Sequence, residues 1–182
     1  MSDEAERPSP FVAAQLGRLR ATAPLGPCLD LACGRGRHAR LLARAGLRVV
    51  ALDRDAAALR EVASRARRES LAISPLRADA ESPHGLCLRD ARFGAVVVTR
   101  FLFRPLAQRI EALLAPGGVL VYETFTIRQR ELGHGPRNAA FLLEEGELPR
   151  LFPGLAIEAH REGLAGEPTA SWLAGVAARK PG

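Results

Sequence analysis

Hydrophobic positions along this chain fall into short blocks whose spacing alternates between helical and strand-like. Phe11, Val12, Leu16 and Leu19 recur at close to helical spacing and predict a helix over 11–23, broken by Pro24, Gly26 and Pro27. The apolar run 28–32 predicts a strand, 38–45 a helix ended by Gly46, and 47–52 a second strand. Asp55 is placed to cap a helix whose apolar face is Leu59, Val62, Ala63 and Ala66. A weaker strand follows over 71–77. The stretch 80–92 has poor periodicity and predicts only a short or irregular helix.

Further along, 95–99 is a β-branched run with apolar neighbours, as expected of a central strand buried on both faces. Pro105 suits a helix first turn, with Leu106, Ile110, Leu113 and Leu114 on one side. Pro116, Gly117 and Gly118 are expected to stop it before a strand over 119–125. The polar, irregular stretch 126–152 precedes two final strands, 155–162 and 171–178. Alternating strands and helices imply an α/β fold with a doubly wound, mostly parallel seven-stranded sheet. No helix separates the last two strands, and a short loop can join only antiparallel neighbours, so the sheet should close with a C-terminal antiparallel hairpin. Residues 1–24 then form a leader and helix, 25–180 one domain, and 126–152 a lid, since a loop that long in a compact domain is unusual unless it covers a site.

Composition narrows the class. The 182 residues are 47% hydrophobic, too apolar for a disordered chain, and no apolar run is long enough to span a bilayer. The first ten residues carry Asp3, Glu4 and Glu6 and no apolar signal core, so a cytoplasmic location is expected. Cys28, Cys33 and Cys87 are an odd set without close pairing, which argues against a disulfide framework; no second pair at zinc-ligand spacing joins Cys33 and His38, so no metal is expected. A net charge of +6 would ordinarily suggest nucleic acid. Yet 25 of the 26 basic residues are arginines scattered from Arg7 to Arg179, and aromatics are only 5%. Nucleic acid is therefore possible as a partner but not favoured.

The most informative segment runs Asp30-Leu31-Ala32-Cys33-Gly34-Arg35-Gly36-Arg37-His38-Ala39. It follows a strand and opens a helix, where a glycine turn lets a ligand approach the backbone. Alone it also satisfies the dinucleotide pattern G-x-G-x-x-A. Asp53, 19 residues after Gly34, can accept both hydroxyls of an adenosine ribose or simply support the next helix. Asp30 discriminates better. A carboxylate at the mouth of the turn would repel a pyrophosphate and favour an amine or sulfonium. Asp79 follows the third strand, where an acid can face an adenine edge.

In these residues the chain resembles the class I S-adenosylmethionine-dependent methyltransferases. Residues 30–36 match their first motif, Asp53 their ribose acid, and Asp79-Ala80 their adenine-side position; 93–101 and 115–121 resemble the fourth-strand motif and the turn-strand after it. The likeness covers about 25–180. It implies S-adenosylmethionine as cofactor, held by Asp30, Ala32, Cys33, Gly34, Gly36, Arg37, Asp53, Arg54, Asp79, Ala80, Thr99 and Phe101. Arg37 either meets the methionine carboxylate or points to solvent. The segment 33–37 and the compact size look closest to the tellurite-resistance, small-molecule branch.

Methyl transfer from a sulfonium is a direct in-line displacement, and a base is needed only for an acceptor that arrives protonated. Arg100 and Glu123 are the two candidates for a catalytic role: Arg100 lines the expected reaction pocket with Phe101, and Glu123 is the best-placed base. The fourth strand ends Thr99-Arg100-Phe101-Leu102, without the Asn/Asp-Pro-Pro-aromatic motif of the family's base- and amide-methylating members. His134, Arg137 and Asn138 in the lid are candidate acceptor contacts, and Arg100 with Arg137 would suit an anionic acceptor. A small-molecule acceptor is expected, with the chain a monomer or homodimer. An RNA or protein methyltransferase, a non-catalytic nucleotide-binding regulatory domain and an NAD oxidoreductase remain open.

Overall fold

The computed structural model describes residues 7–82, 86–166 and 169–182. Residues 1–6 of the expected leader, 83–85 of the irregular stretch and 167–168 of the hairpin loop lie outside them. Seven strands form one sheet in the order β3-β2-β1-β4-β5-β7-β6. They are β1 (Cys28–Leu31), β2 (Val49–Asp53), β3 (Ile73–Arg77), β4 (Phe93–Thr99), β5 (Leu114–Phe125), β6 (Ala156–Ala165) and β7 (Ser171–Arg179). The first five run parallel; β7 pairs antiparallel with both β5 and β6, so the terminal hairpin is as expected.

Burial on both faces explains why the central strands are continuous apolar runs: all seven residues of β4 are buried. Leu29, Leu31, Val96, Val98, Leu120 and Tyr122 face one core, packed beneath α5 (Ala107–Leu113) and α6 (Glu147–Arg150). Cys28, Val49, Val97, Val119 and Val121 face the other, covered by α1 (Pro10–Ala14), α2 (Leu16–Ala21), α3 (Arg37–Arg44) and α4 (Ala56–Arg68). Asp55 caps α4, accepting from the Ala57 and Ala58 amides at 2.7 and 3.2 Å.

Three local expectations change. The predicted first helix is two short helices, because Gln15 leaves helical geometry and its amide bonds back to Val12 at 3.0 Å. Among the described residues, 80–92 contain no helix. That segment is tied down instead by its own backbone, the Ala91 and Arg92 amides donating to Ala112 and Leu113. Helix α5 ends at Leu113 and β5 starts at once, carrying Pro116-Gly117-Gly118 inside the strand at a register shift opposite Phe93 and Ala95.

Strand order reverses direction between β1 and β4: β2 and β3 extend to one side, β5 to the other. The crevice beyond the carboxyl ends of β1 and β4 is therefore where a ligand should lie.

Candidate active site

Two residues mark that crevice before any ligand is considered. Ala32 follows β1 and Arg100 follows β4, and both adopt left-handed backbone with φ of 55° and 52°. Such geometry costs about 1–2 kcal/mol per non-glycine residue, and it clusters where a site requires it. Arg100 is held there by its amide, which donates to the Glu123 carbonyl at 2.8 Å. Both residues line a cavity of about 420 Å³.

The cavity brings together seven of the residues singled out from sequence: Ala32, Asp53, Arg54, Asp79, Ala80, Arg100 and Phe101. Asp53 ends β2, and its Oδ2 accepts from the Gly34 amide at 2.8 Å while Oδ1 accepts from the Asp55 amide at 2.9 Å. Each oxygen retains a lone pair for a ligand hydroxyl. Asp79 receives the Glu81 amide at 2.9 Å, and Arg54 pairs with Glu81 at 2.9 Å. Gly34 and Gly36, at φ of 53° and 73°, supply the tight turn between β1 and α3. A side chain at Gly36 would press its Cβ to 2.8 Å from Val62, whereas one at Gly34 would meet nothing within 4 Å. Gly34 thus presents bare backbone to open space, and Gly36 allows α3 to pack on α4.

A second group lies on the opposite face of the sheet, outside the cavity lining. Asp30 is 1% exposed, and neither carboxylate oxygen has a hydrogen-bond partner of good geometry among the described residues. Burial raises its pKa to about 7, eased by the nearby Ala39 amide and Arg37 charge and worsened by Asp53. An orphaned buried carboxylate is costly, and a cation beside it would remove the cost. Burial also lowers the pKa of Arg37, helped by Arg100 and opposed by Glu123 and Asp30, so these four charges share one neighbourhood. Cys33 is buried, its thiol pushed well up by burial and by Asp30 and Asp53.

His38 and Thr99 also belong here. The Ser9 amide donates to His38 Nε2 at 2.9 Å, and His38 Nδ1 lies 3.0 Å from Thr99 Oγ1. Burial, Arg37 and Arg100 press the pKa of His38 down to about 3. The ring is therefore neutral; since Nε2 accepts, the proton sits on Nδ1 and is donated to Thr99. Glu123 is 3% exposed and ion-paired with Arg161, so it faces away from the cavity.

The lid contributes differently from expectation. His134, Arg137 and Asn138 do not line the cavity; Pro136 and Phe141 do. Asn138 instead caps the turn Ala139–Phe141, accepting from the Ala140 amide at 3.0 Å. Arg137 offers its carbonyl to Arg130 Nε at 2.9 Å, and the His134 carbonyl accepts from Gln129 Nε2 at 3.0 Å. Sequence reading missed Gln129, Arg104 and Tyr122. Gln129 is fully buried and its Oε1 accepts from the Trp172 amide at 2.8 Å, pinning the lid to β7. Arg104 forms a bidentate pair with Glu147 and donates to the carbonyls of Ala140 and Leu142 at 3.2 and 2.8 Å. Tyr122 Oη donates to the Phe101 carbonyl at 2.9 Å, fixing the loop after β4. The one signal that could have found Arg104 is its place four residues beyond Arg100.

Residues 28–118, half of the chain, match the family profile described as "Methyltransferase domain". The chain belongs to this methyltransferase-domain family. Methyltransferases of similar structure include an S-adenosylmethionine-dependent one from Methanosarcina mazei, with 19% identity, TM-score 0.72, and coverage of 96% of this chain and 99% of that one. Another, from Mesorhizobium loti, has 22% identity, TM-score 0.67, and coverage of 92% and 98%. TehB from Haemophilus influenzae shares 17% identity at TM-score 0.71, over 90% of this chain and 62% of that one. At these identities the likeness is one of fold. No curated protein matches the sequence. Among the described residues of this methyltransferase, no helix is long and apolar enough to cross a membrane.

Proposed function

We propose that this methyltransferase moves the methyl group of S-adenosylmethionine to a small-molecule acceptor by direct in-line displacement, in the cytoplasm. The observation that carries the proposal is the cavity in which Ala32 at the end of β1, Asp53, Asp79 and the loop after β4 meet Pro136 and Phe141 of the segment 126–152. The donor set fits this cofactor. Asp53 would take the ribose hydroxyls, Arg54, Asp79 and Ala80 the adenine end, and the Gly34 backbone the groups between. Ala32, Cys33 and Gly36 shape the turn. Asp30, buried beside the cavity, would give up its proton to a neighbouring ammonium or sulfonium charge, and Arg37 would offer a cation to the methionine carboxylate.

When bound, the cofactor supplies an electrophilic methyl carbon already activated by its positive sulfur. The chain's own residues then have to orient and exclude water. Phe101 and Leu102 wall the cavity beside β4, fixed through Tyr122, and Pro136 and Phe141 close it from the lid. Glu123 is held in its ion pair with Arg161, which leaves it aimed away from the acceptor side. Thr99 receives the His38 proton and supports the end of β4.

The cavity lining carries Asp53, Asp79 and Glu81 against Arg54 and Arg100, a balance that favours a small molecule over a polyanion. The likeness to TehB and the segment 33–37 support the small-molecule branch of the family. Free Cys28, Cys33 and Cys87 accord with a reducing compartment. Incubating the chain with methyl-tritiated S-adenosylmethionine and cell extract separated into small-molecule, RNA and protein fractions tests the proposal. Label is expected in the small-molecule fraction. Label in RNA or protein would refute the acceptor class, and cofactor binding without label anywhere would refute catalysis.

A further inference from the structure

The acceptor side of this cavity has its own chemistry. Resting on the methyl-transfer reading, we infer that the acceptor is an apolar molecule carrying one negative charge, its anionic group on Arg100 and its body against Phe125, Pro136 and Phe141. The acids and the unpaired cation lie at separate parts of the lining. Asp53, Asp79 and Glu81 come from the β2 and β3 ends, and Arg54 there is already paired with Glu81. Arg100 comes from the β4 end and has no ion-pair partner among the described residues. Its guanidinium stands 5.7 Å over the ring of Phe125, another lining residue. Glu123 cannot neutralise it as a partner, being committed to Arg161 across the hairpin.

Another part of the lining is apolar by construction. Phe141 is 47% exposed, unusual for so large an apolar side chain, and it lines the cavity. It is not left exposed by slackness. Arg104 holds the carbonyls on either side of it, those of Ala140 and Leu142, and Asn138 caps the turn that carries it. Gln129 holds the His134 carbonyl two residues before Pro136. The chain thus fixes two apolar residues in the lining of the cavity that Arg100 also lines.

A ligand that packed on Phe125 and Phe141 would strip water from Arg100. For a neutral ligand that desolvation is uncompensated, and for a cation it is compounded by repulsion from Arg100. An anion restores the lost hydrogen bonds with charge-assisted ones.

Calorimetric titration with 2-naphthoate and its neutral isostere 2-naphthamide tests this, on the chain alone and on the chain with S-adenosylhomocysteine added. Naphthoate is expected to bind about tenfold or more tightly than the amide. Arg100→Gln should bring the two affinities together, Arg100→Lys should keep most of the preference, and Phe141→Ala should weaken both probes by about fivefold. Equal affinities in the unaltered chain, or a preference that survives Arg100→Gln, would overturn the inference. Displacement of S-adenosylhomocysteine by naphthoate would also overturn it, by placing the anion in the cofactor's space. Failure of S-adenosylhomocysteine to bind would refute the methyl-transfer reading instead, and the naphthoate preference is read on the chain alone in that case.

Discussion

The Asp53 carboxylate and the Gly34 amide, 19 positions apart in sequence, are joined by a 2.8 Å hydrogen bond that ties the end of β2 to the turn after β1. One side chain thus both shapes the glycine turn and faces the cavity. Asp53→Asn keeps an acceptor oxygen for the Gly34 amide but loses the one for the Asp55 amide, and is expected to lower stability by only about 1 kcal/mol. It should nevertheless weaken S-adenosylhomocysteine binding by roughly tenfold or more through loss of charge. Asp53→Ala removes both functions and should lower stability by about 1–2 kcal/mol as well. Melting curves and calorimetric titrations of the two variants check the separation.

The two turn glycines should fail in different ways. Gly34→Ala adds only the left-handed backbone cost of about 1–2 kcal/mol, and its methyl enters open space beside the Asp53 carboxylate that its amide holds. Its main effect is expected on binding. Gly36→Ala adds the same backbone cost plus a 2.8 Å approach to the buried Val62 side chain. A total loss of roughly 2–4 kcal/mol is expected in denaturant unfolding.

Asp30 and His38 should pull stability in opposite directions with pH. The folded pKa of Asp30, about 7, exceeds its ordinary 3.8, so the native state keeps a proton the unfolded chain gives up; stability falls as pH rises through that window. The folded pKa of His38, about 3, lies below its ordinary 6.5, so stability is full above 6.5 and is lost as pH falls. Between about pH 5 and 6.5 the slopes, each about 1.4 kcal/mol per pH unit, nearly cancel. Asp30→Asn should therefore lose stability on acidification, and His38→Gln should gain it. Denaturant midpoints across this window measure both; parallel profiles for the two variants would contradict the assignment.

Arg104 is expected to hold the lid rather than the fold. Arg104→Met keeps the aliphatic stem but removes its hydrogen bonds to Ala140, Leu142 and Glu147. Amide exchange at Phe141 and Leu142, whose N–H groups bond within the lid turn, should speed up by about tenfold or more. Exchange in β4 and β5 should stay unchanged.

Much of the fold was legible because its cause is local. A strand buried on both faces must be an apolar run, and 95–99 reads as such. The start of β5 was not legible, because Pro116-Gly117-Gly118 is chemically a terminator, and here it forms a bulge between the paired residues Leu114 and Val119, with Gly117 at a φ of 75°. Motif spacing singled out Asp53 and Asp79, which both line the cavity, and Asp30, which does not. The Glu123–Arg161 pair was not legible. Both residues register against Gly175, which has no side chain to separate them and is covered by the Phe11 ring. No spacing along the sequence encodes that meeting. The same holds for Phe141, whose position depends on Arg104 reaching 36–38 residues along the chain to hold its neighbours' carbonyls.

Thermal-shift titration of the unaltered chain with S-adenosylmethionine, S-adenosylhomocysteine and NAD tests the central claim most directly. A ligand that binds only the native state raises its apparent stability in proportion to the logarithm of its concentration. Stabilisation by the first two ligands and none by NAD is the predicted result. Stabilisation by NAD, or by none of the three, would contradict it.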